Sequence, residues 1–148
     1  MDLVAHAELE PVIARFASAR NYWIASTRPD GRPHTAPVWG LWINNAFVFG
    51  TDNKSQKATN LRAQPWLIAH LESGDQVDWI EGDAEFISKD DVRGAIFDAF
   101  AAKYVVDEKP LDVFSDDLPD PVFIRVVPKV VSSWLESDLV NTQLRVVL

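Results

Sequence analysis

The chain has 148 residues, of which 47% are hydrophobic and 24% charged; this composition excludes a disordered chain and predicts one globular domain spanning residues 1–148. Its 14 basic and 22 acidic side chains give a net charge of −8, which disfavours nucleic acids and anionic membranes as partners. The absence of cysteine excludes disulfides, thiolate catalysis and cysteine-bound zinc, and the three histidines match no metal-ligand spacing, so we expect no metal site.

The N-terminal segment predicts a helix and no targeting signal. Apolar residues from Leu9 to Ala17 recur at helical spacing. The segment is acidic and is interrupted by Pro11, unlike a signal peptide. No apolar run approaches the ~20 residues that a membrane-spanning helix needs. We therefore expect a cytoplasmic protein without a membrane partner.

Short strands separated by turn sequences dominate the rest of the chain. Residues 28–31 (Arg-Pro-Asp-Gly) have strong turn chemistry, and Asn44-Asn45 suits a two-residue hairpin. Helices are predicted at 55–63 and after Ser88, a candidate helix cap. The segment 103–120 is rich in acids and prolines and predicts a surface loop. The predicted strands are 22–27, 34–43, 46–51, 66–72, 76–87 with an interruption at Gly82, 122–134 around Pro128, and 143–148.

This order of elements predicts a mainly β fold. Six or seven strands joined largely by hairpins, with three helices between them, favour a barrel or a sandwich. A doubly wound parallel sheet would need helices that alternate regularly with strands, and the predicted order does not contain that alternation.

The segment 50–61 has the composition of a phosphate-binding site. A predicted strand ends there, and a helix begins with small polar residues and two lysines, Lys54 and Lys57. Unpaired N–H groups at a helix start and nearby ammonium groups both attract phosphate. An amphipathic helix with solvated lysines also explains the segment and is favoured by the segment alone, and both interpretations stay open at this point.

The segment 34–42 has the composition of a strand that could lie against a planar ring. Pro37 cannot donate to a strand ladder and therefore indicates an edge strand or a bulge. Gly40 permits close approach to the backbone, and Trp39 and Trp42 supply flat apolar surface. A bulged edge strand whose tryptophans fill the core or a dimer contact is the alternative interpretation.

Three further features are candidates for chemistry. Glu81, Asp83 and Glu85 alternate along one strand and could act as paired acids, although an exposed strand face explains them as well. His34 could donate a proton, but we expect a solvent-facing strand residue. Trp79, like Trp134, is a candidate for contact with a ligand or with a second subunit.

Three segments in succession resemble the pyridoxamine 5′-phosphate oxidase-like, flavin-binding split-barrel superfamily. Residues 22–40 resemble its opening strands, residues 57–65 its phosphate-binding helix, and residues 70–84 its next hairpin. The likeness covers about residues 8–90 well and the remainder loosely. It implies a six-stranded antiparallel split barrel with flanking helices, and a homodimer with two cofactor sites at the subunit interface.

The resemblance also implies which residues contact a cofactor. Members bind FMN, the deazaflavin F420, or sometimes haem or a bilin. Lys57 matches the phosphate-binding lysine of the family. The strand that faces the cofactor ring corresponds to Pro37, Val38 and Trp39. Around the phosphate, the matching positions are Thr51, Lys54, Ser55 and Asn60.

The sequence departs from the true pyridoxamine phosphate oxidases. Those enzymes are longer, have a more arginine-rich phosphate signature, and carry a C-terminal arginine and histidine motif absent from residues 143–148; Ser55 stands where related chains often have arginine. The short form looks more like the F420-dependent branch, so we favour F420 over FMN. The expected activity is hydride transfer to or from a small unsaturated substrate, without an assigned catalytic residue. A non-catalytic protein that binds or stores a flavin, F420 or haem, and a structural dimer with an empty groove, are the alternatives.

Overall fold

A computed structural model describes residues 6–148; residues 1–5, part of the segment for which we expect no signal peptide, lie outside the described residues. Five helices lie around a curled antiparallel sheet: α1 (Glu10–Ser18), α2 (Gln56–Ala63), α3 (Lys89–Val92), α4 (Ala95–Lys103) and α5 (Leu139–Thr142). The strands are β1 (Tyr22–Thr27), β2 (Pro33–Val38), β3 (Gly40–Ile43), β4 (Ala46–Asp52), β5 (Trp66–His70), β6 (Gln76–Ile87), β7 (Val105–Val106), β8 (Lys109–Pro110), β9 (Pro121–Val126), β10 (Val130–Leu135) and β11 (Leu144–Val147).

The long strand β6 belongs to both halves of the barrel. The main sheet has the order β2-β1-β5-β6-β9-β4-β3, and β10 with β11 branches from β6. Residues 76–81 of β6 pair with β10, and residues 84–87 pair with β9. Gly82 lies at this crossing, where a β-carbon would be 2.7 Å from the carbonyl oxygen of Val127. The strand therefore continues through Gly82, and the predicted interruption is wrong.

The mainly β, antiparallel class predicted from the sequence is confirmed, with nine strands in the main sheet instead of six or seven. The predicted strand 34–43 divides at Trp39, because β2 pairs with β1 whereas β3 pairs with β4. The predicted strand 122–134 divides around Pro128, which has no N–H to donate. Segment 103–120 is more than a surface loop, since it contains the β7–β8 hairpin and the buried side chains of Tyr104 and Val113.

Two apolar clusters hold the elements together. The first fills the barrel beneath α1 and α2 and includes Phe16, Tyr22 and Phe47. The second lies between the strands β3, β4 and β9 and the helices α3 and α4, and includes Phe100 and Phe123. The candidate site described next lies where β2, β4 and α2 meet.

Candidate functional site

The start of α2 is fixed by two hydroxyl groups that the sequence assigned to a phosphate site. Ser55 is the N-cap, and its Oγ accepts a hydrogen bond from the backbone N–H of Ala58 at 3.1 Å. The hydroxyl of Thr51, at the end of β4, donates to the same Oγ at 3.0 Å. The turn between β4 and α2 is therefore held rigidly, with Lys54 exposed on its outer side.

Asn60 anchors α2 to the sheet. Its side chain is fully buried, and its Nδ2 donates to Ser26 Oγ of β1 at 3.0 Å. Its Oδ1 accepts from Nε2 of Gln56 at 2.7 Å. Asn60 thus uses its amide within the protein, which defines a positioning role beside the predicted contact with a cofactor.

A cationic cluster lies where α2 meets β2 and comprises Lys57 of α2, His34 of β2 and Arg28 from the turn before β2. Lys57 is half-buried, and burial lowers the pKa of its ammonium group. His34 faces Ser26 across the β1–β2 ladder and therefore shares its face of the sheet. Burial lowers the pKa of His34, and the charges of Arg28 and Lys57 lower it further.

The ring of His34 has an unused polar atom. Its Nδ1 is buried without a hydrogen-bond partner, the only buried side-chain nitrogen or oxygen in that state among residues 6–148. The expectation of a solvent-facing histidine is therefore wrong for this atom. Within the same described part of the chain, neither Lys57 nor Arg28 forms an ion pair with a carboxylate. An anion would find three positively charged or protonatable side chains here.

β2 is an edge strand, as Pro37 predicted. Pro33, Thr35 and Pro37 occupy alternate positions of the β1–β2 ladder. Since proline has no N–H, this alternate set is the one whose backbone groups point away from β1. The free edge thus offers the N–H of Thr35 and the carbonyl oxygens of Thr35 and Pro37, since that of Pro33 accepts from Arg28 at 2.7 Å. Val38 packs against the barrel interior.

Trp39 connects this edge to an apolar pocket of about 280 Å³. Its indole stacks on Tyr104 with ring centroids 4.7 Å apart, so one face of the indole is already covered. The pocket is lined by the apolar side chains of Trp39, Phe100, Leu111, Val113, Leu118 and Phe123. Thr51 and Asp52 form its polar end.

The group that approaches Gly40 closely belongs to the protein. A β-carbon at this position would lie 2.5 Å from the ring of Phe47. The carbonyl oxygen of Gly40 also accepts from Nζ of Lys103 at 2.8 Å and from the hydroxyl of Tyr104 at 3.0 Å. Burial lowers the pKa of Lys103 to about 8. Sequence reasoning missed both Lys103 and Tyr104, because they are the last residue and the C-cap of a helix whose apolar spacing indicated packing alone.

Trp79 lies on β6 and does not line the pocket beside Trp39. Its indole N–H donates to Glu81 at 3.2 Å, and its ring meets that of Trp134 edge-on with centroids 5.0 Å apart. Asp83 and Glu85, the other two acids of this strand, pair with Lys129 and Arg125. The exposed-face interpretation of these acids therefore agrees with their contacts.

Among residues 6–148, no group of three or more histidines and carboxylates is arranged to hold a metal ion. None of the described helices is long and apolar enough to cross a membrane.

The sequence profile of one family, described as pyridoxamine 5′-phosphate oxidase, matches residues 9–135. The chain belongs to this family. The resemblance stated from residues 22–40, 57–65 and 70–84 is thereby confirmed, together with the split-barrel architecture. Among curated proteins, none matches the chain.

Several solved structures of other proteins have the same fold as this chain. A conserved hypothetical protein from Mycobacterium tuberculosis is 29% identical, with a TM-score of 0.67 over 88% of this chain and 86% of that one. An F420 reductase is 27% identical, with a TM-score of 0.62 over 79% of this chain and 93% of the reductase. A pyridoxamine 5′-phosphate oxidase-related, FMN-binding protein from Nostoc punctiforme is 20% identical, with a TM-score of 0.60 over 96% and 87% of the two chains.

Proposed function

We propose that this member of the family is an oxidoreductase that binds F420, or alternatively FMN, and transfers hydride between the cofactor and a small unsaturated substrate. The observation that carries the proposal is the cationic cluster of Lys57, His34 and Arg28 at the start of α2. It supplies positive charge at one place in a chain of net charge −8.

The residues of this cluster fit the phosphate of such a cofactor. A half-buried lysine without a carboxylate partner gains most from an anion, because burial has removed part of its hydration. The unpartnered Nδ1 of His34 can donate a hydrogen bond in the tautomer or charge state that carries a proton there. Ser55 and Thr51 hold the adjoining turn, so the site is organised before a ligand arrives.

The edge of β2 is suited to lie beside a planar ring. The N–H of Thr35 is a candidate donor to a ring carbonyl, and the prolines on either side keep a further strand from pairing there. Bound F420 or FMN would supply the hydride chemistry, and the protein would bind and orient the ring and exclude water. We assign no proton donor within the chain.

F420 is preferred over FMN for two reasons. Lys54 is exposed on the turn before α2, and Arg62 donates to the backbone oxygen of Asn53 on the same turn, so both add positive charge near the start of α2, which suits the long anionic tail of F420. The 27% identical F420 reductase supports the same choice. We further propose that the protein works as a homodimer, in which Trp79 contributes to the subunit contact or to the partner's cofactor site.

Three measurements test the proposal. Fluorescence titration of the purified chain with F420 and with FMN compares the two affinities; binding of FMN alone would reverse the choice of cofactor. Anaerobic mixing with reduced F420 and a panel of enones and quinones should oxidise the cofactor above the protein-free rate. Binding without oxidation would favour a storage protein.

Sedimentation velocity tests the proposed homodimer. It should give a mass near twice 16.6 kDa, and a stable monomer at micromolar concentration would contradict the dimer.

A further inference from the structure

The apolar pocket beside Trp39 has a position that the cofactor alone does not explain. It adjoins two residues proposed to contact the cofactor, Trp39 and Thr51, yet it extends away from the cationic cluster toward α4 and the segment 111–121. Its wall is formed by Phe100, Leu111 and Val113 from elements that follow the cofactor-binding strands in the chain. A second molecule held in this pocket would therefore lie next to the cofactor.

The lining of the pocket selects for apolar chemistry. None of its lining residues is a lysine or an arginine, and its one charged group, Asp52, is an acid. An anionic substituent held among these residues would lose hydration without gaining a cationic partner from the lining, since the nearby Arg20 guanidinium lies against the Trp39 ring and outside the lining. An apolar ring would gain from leaving water.

The segment that supplies Leu111, Val113 and Leu118 to the pocket lining carries negative charge. Residues 105–120 contain six acids and one lysine, which gives 1 − 6 = −5. Asp120 is also tied to the phosphate-side turn, because its backbone oxygen accepts from the N–H of Asn53 at 3.0 Å and its carboxylate accepts from Asn53 Nδ2 at 2.9 Å. Asp120 is thus held beside the candidate cofactor site, and the net negative charge of residues 105–120 disfavours the approach of anions.

We infer that this pocket is the substrate subsite, and that it accepts an uncharged, largely apolar ring compound and rejects anionic analogues, phosphorylated ones included. That the bound compound is a substrate rests on the proposed function, but the binding preference of the pocket can be measured without catalysis. The pocket volume of about 280 Å³ suits a molecule of two or three fused or linked rings.

A matched pair of fluorescent probes tests the class of ligand. N-phenyl-1-naphthylamine is uncharged, and 8-anilinonaphthalene-1-sulfonate is the same ring system with one sulfonate added. We expect the uncharged probe to bind the full-length chain at least tenfold more tightly than the sulfonate. Equal affinities, or tighter binding of the sulfonate, would overturn the inference.

A matched pair of variants tests the location. Leu118 lines the pocket and is 43% exposed, while Leu139 is 44% exposed and lies outside it, so Leu118→Glu and Leu139→Glu make the same change at equally accessible positions. Leu118→Glu should weaken binding of the uncharged probe at least fivefold, and Leu139→Glu should leave it unchanged. Equal effects of the two variants would overturn the location. A change of oligomeric state in Leu118→Glu alone would show that this face is a subunit contact and would overturn the inference as well.

Titration of the probe in the presence of saturating F420 or FMN separates this inference from the proposed function. Simultaneous binding of probe and cofactor supports a separate substrate subsite. Competition between them would show that the pocket holds the cofactor ring and would overturn the subsite. If neither cofactor binds, the proposed function fails, while the preference for the uncharged probe and the effect of Leu118→Glu still decide the binding inference.

Discussion

Replacement of Lys57 by alanine separates a phosphate site from a helix with solvated lysines. The ammonium group is half-buried and has no ion-pair partner among residues 6–148. A charge-assisted hydrogen bond of this kind contributes about 1.5–3 kcal/mol. Lys57→Ala should therefore raise the Kd for the cofactor by about 10- to 150-fold, since 1.4 kcal/mol corresponds to a factor of ten.

The control is Lys54→Ala, which removes the same charge from an exposed position three residues earlier. It should weaken binding much less, because an exposed ammonium is hydrated and screened by salt. Fluorescence titration at constant ionic strength measures both variants. Equal affinities of the wild type and Lys57→Ala would refute the phosphate assignment. Equal losses of affinity in both variants would mean that binding responds only to the net charge of the protein.

The pH dependence of binding provides a further check. Burial lowers the pKa of Lys57 below the ordinary 10.5, so the ammonium loses its proton at a lower pH than an exposed lysine does. Affinity for the phosphate should decrease as pH rises through that lowered pKa. An anion bound nearby favours the charged form, and the cofactor should therefore raise the pKa of Lys57 again.

The same variant also tests the cluster without a cofactor. The charge of Lys57 is one cause of the lowered pKa of His34, after burial and Arg28. Lys57→Ala should therefore raise the pKa of His34, measured by NMR titration of the ring, whereas Lys54→Ala should not. An unchanged His34 pKa in Lys57→Ala would mean that the two side chains are too far apart to bind one phosphate.

Two substitutions and one titration have further defined outcomes. Asp78→Ala should lower the free energy of unfolding by about 2–4 kcal/mol in urea denaturation, because it leaves the partly buried guanidinium of Arg15 without the carboxylate that it contacts at 2.6 and 2.9 Å. Asn60→Ala should cost about 1–3 kcal/mol, since it removes the bond from α2 to Ser26; an unchanged urea midpoint would contradict the anchoring role. Lys103 should titrate near pH 8 by NMR of its side chain, against 10.5 in the unfolded chain, so this group makes the unfolding free energy increase as pH rises from about 8 to 10.5. A midpoint above 10 would contradict its burial.

The sequence predicted the elements whose signals are local. Strands 22–27 and 76–87 have the predicted bounds, and helix 55–63 differs only in that Ser55 is its cap, because alternation and capping chemistry depend on neighbouring residues. The division of 34–43 at Trp39 depends on which strand each half pairs with. The backbone there is held by the hydroxyl of Tyr104, which accepts from the N–H of Gly40 and lies 64 positions later in the chain. No local pattern contains that information.

The candidate site has the same division between local and distant causes. Lys57, Ser55 and Thr51 were predicted because one short segment combines a strand end, a helix start and cationic charge. The sequence did not predict that Arg28 and the unpartnered nitrogen of His34 belong to this site. Their role depends on how β2 packs against α2, and the sequence favoured an exposed histidine. The cluster is therefore a product of topology: an edge strand brings a histidine beside a helix that an unrelated cap motif has placed. Because an unsatisfied buried nitrogen costs stability, His34→Phe should maintain or raise the unfolding free energy while it weakens cofactor binding. A loss of stability with unchanged affinity would show instead that His34 serves the fold alone.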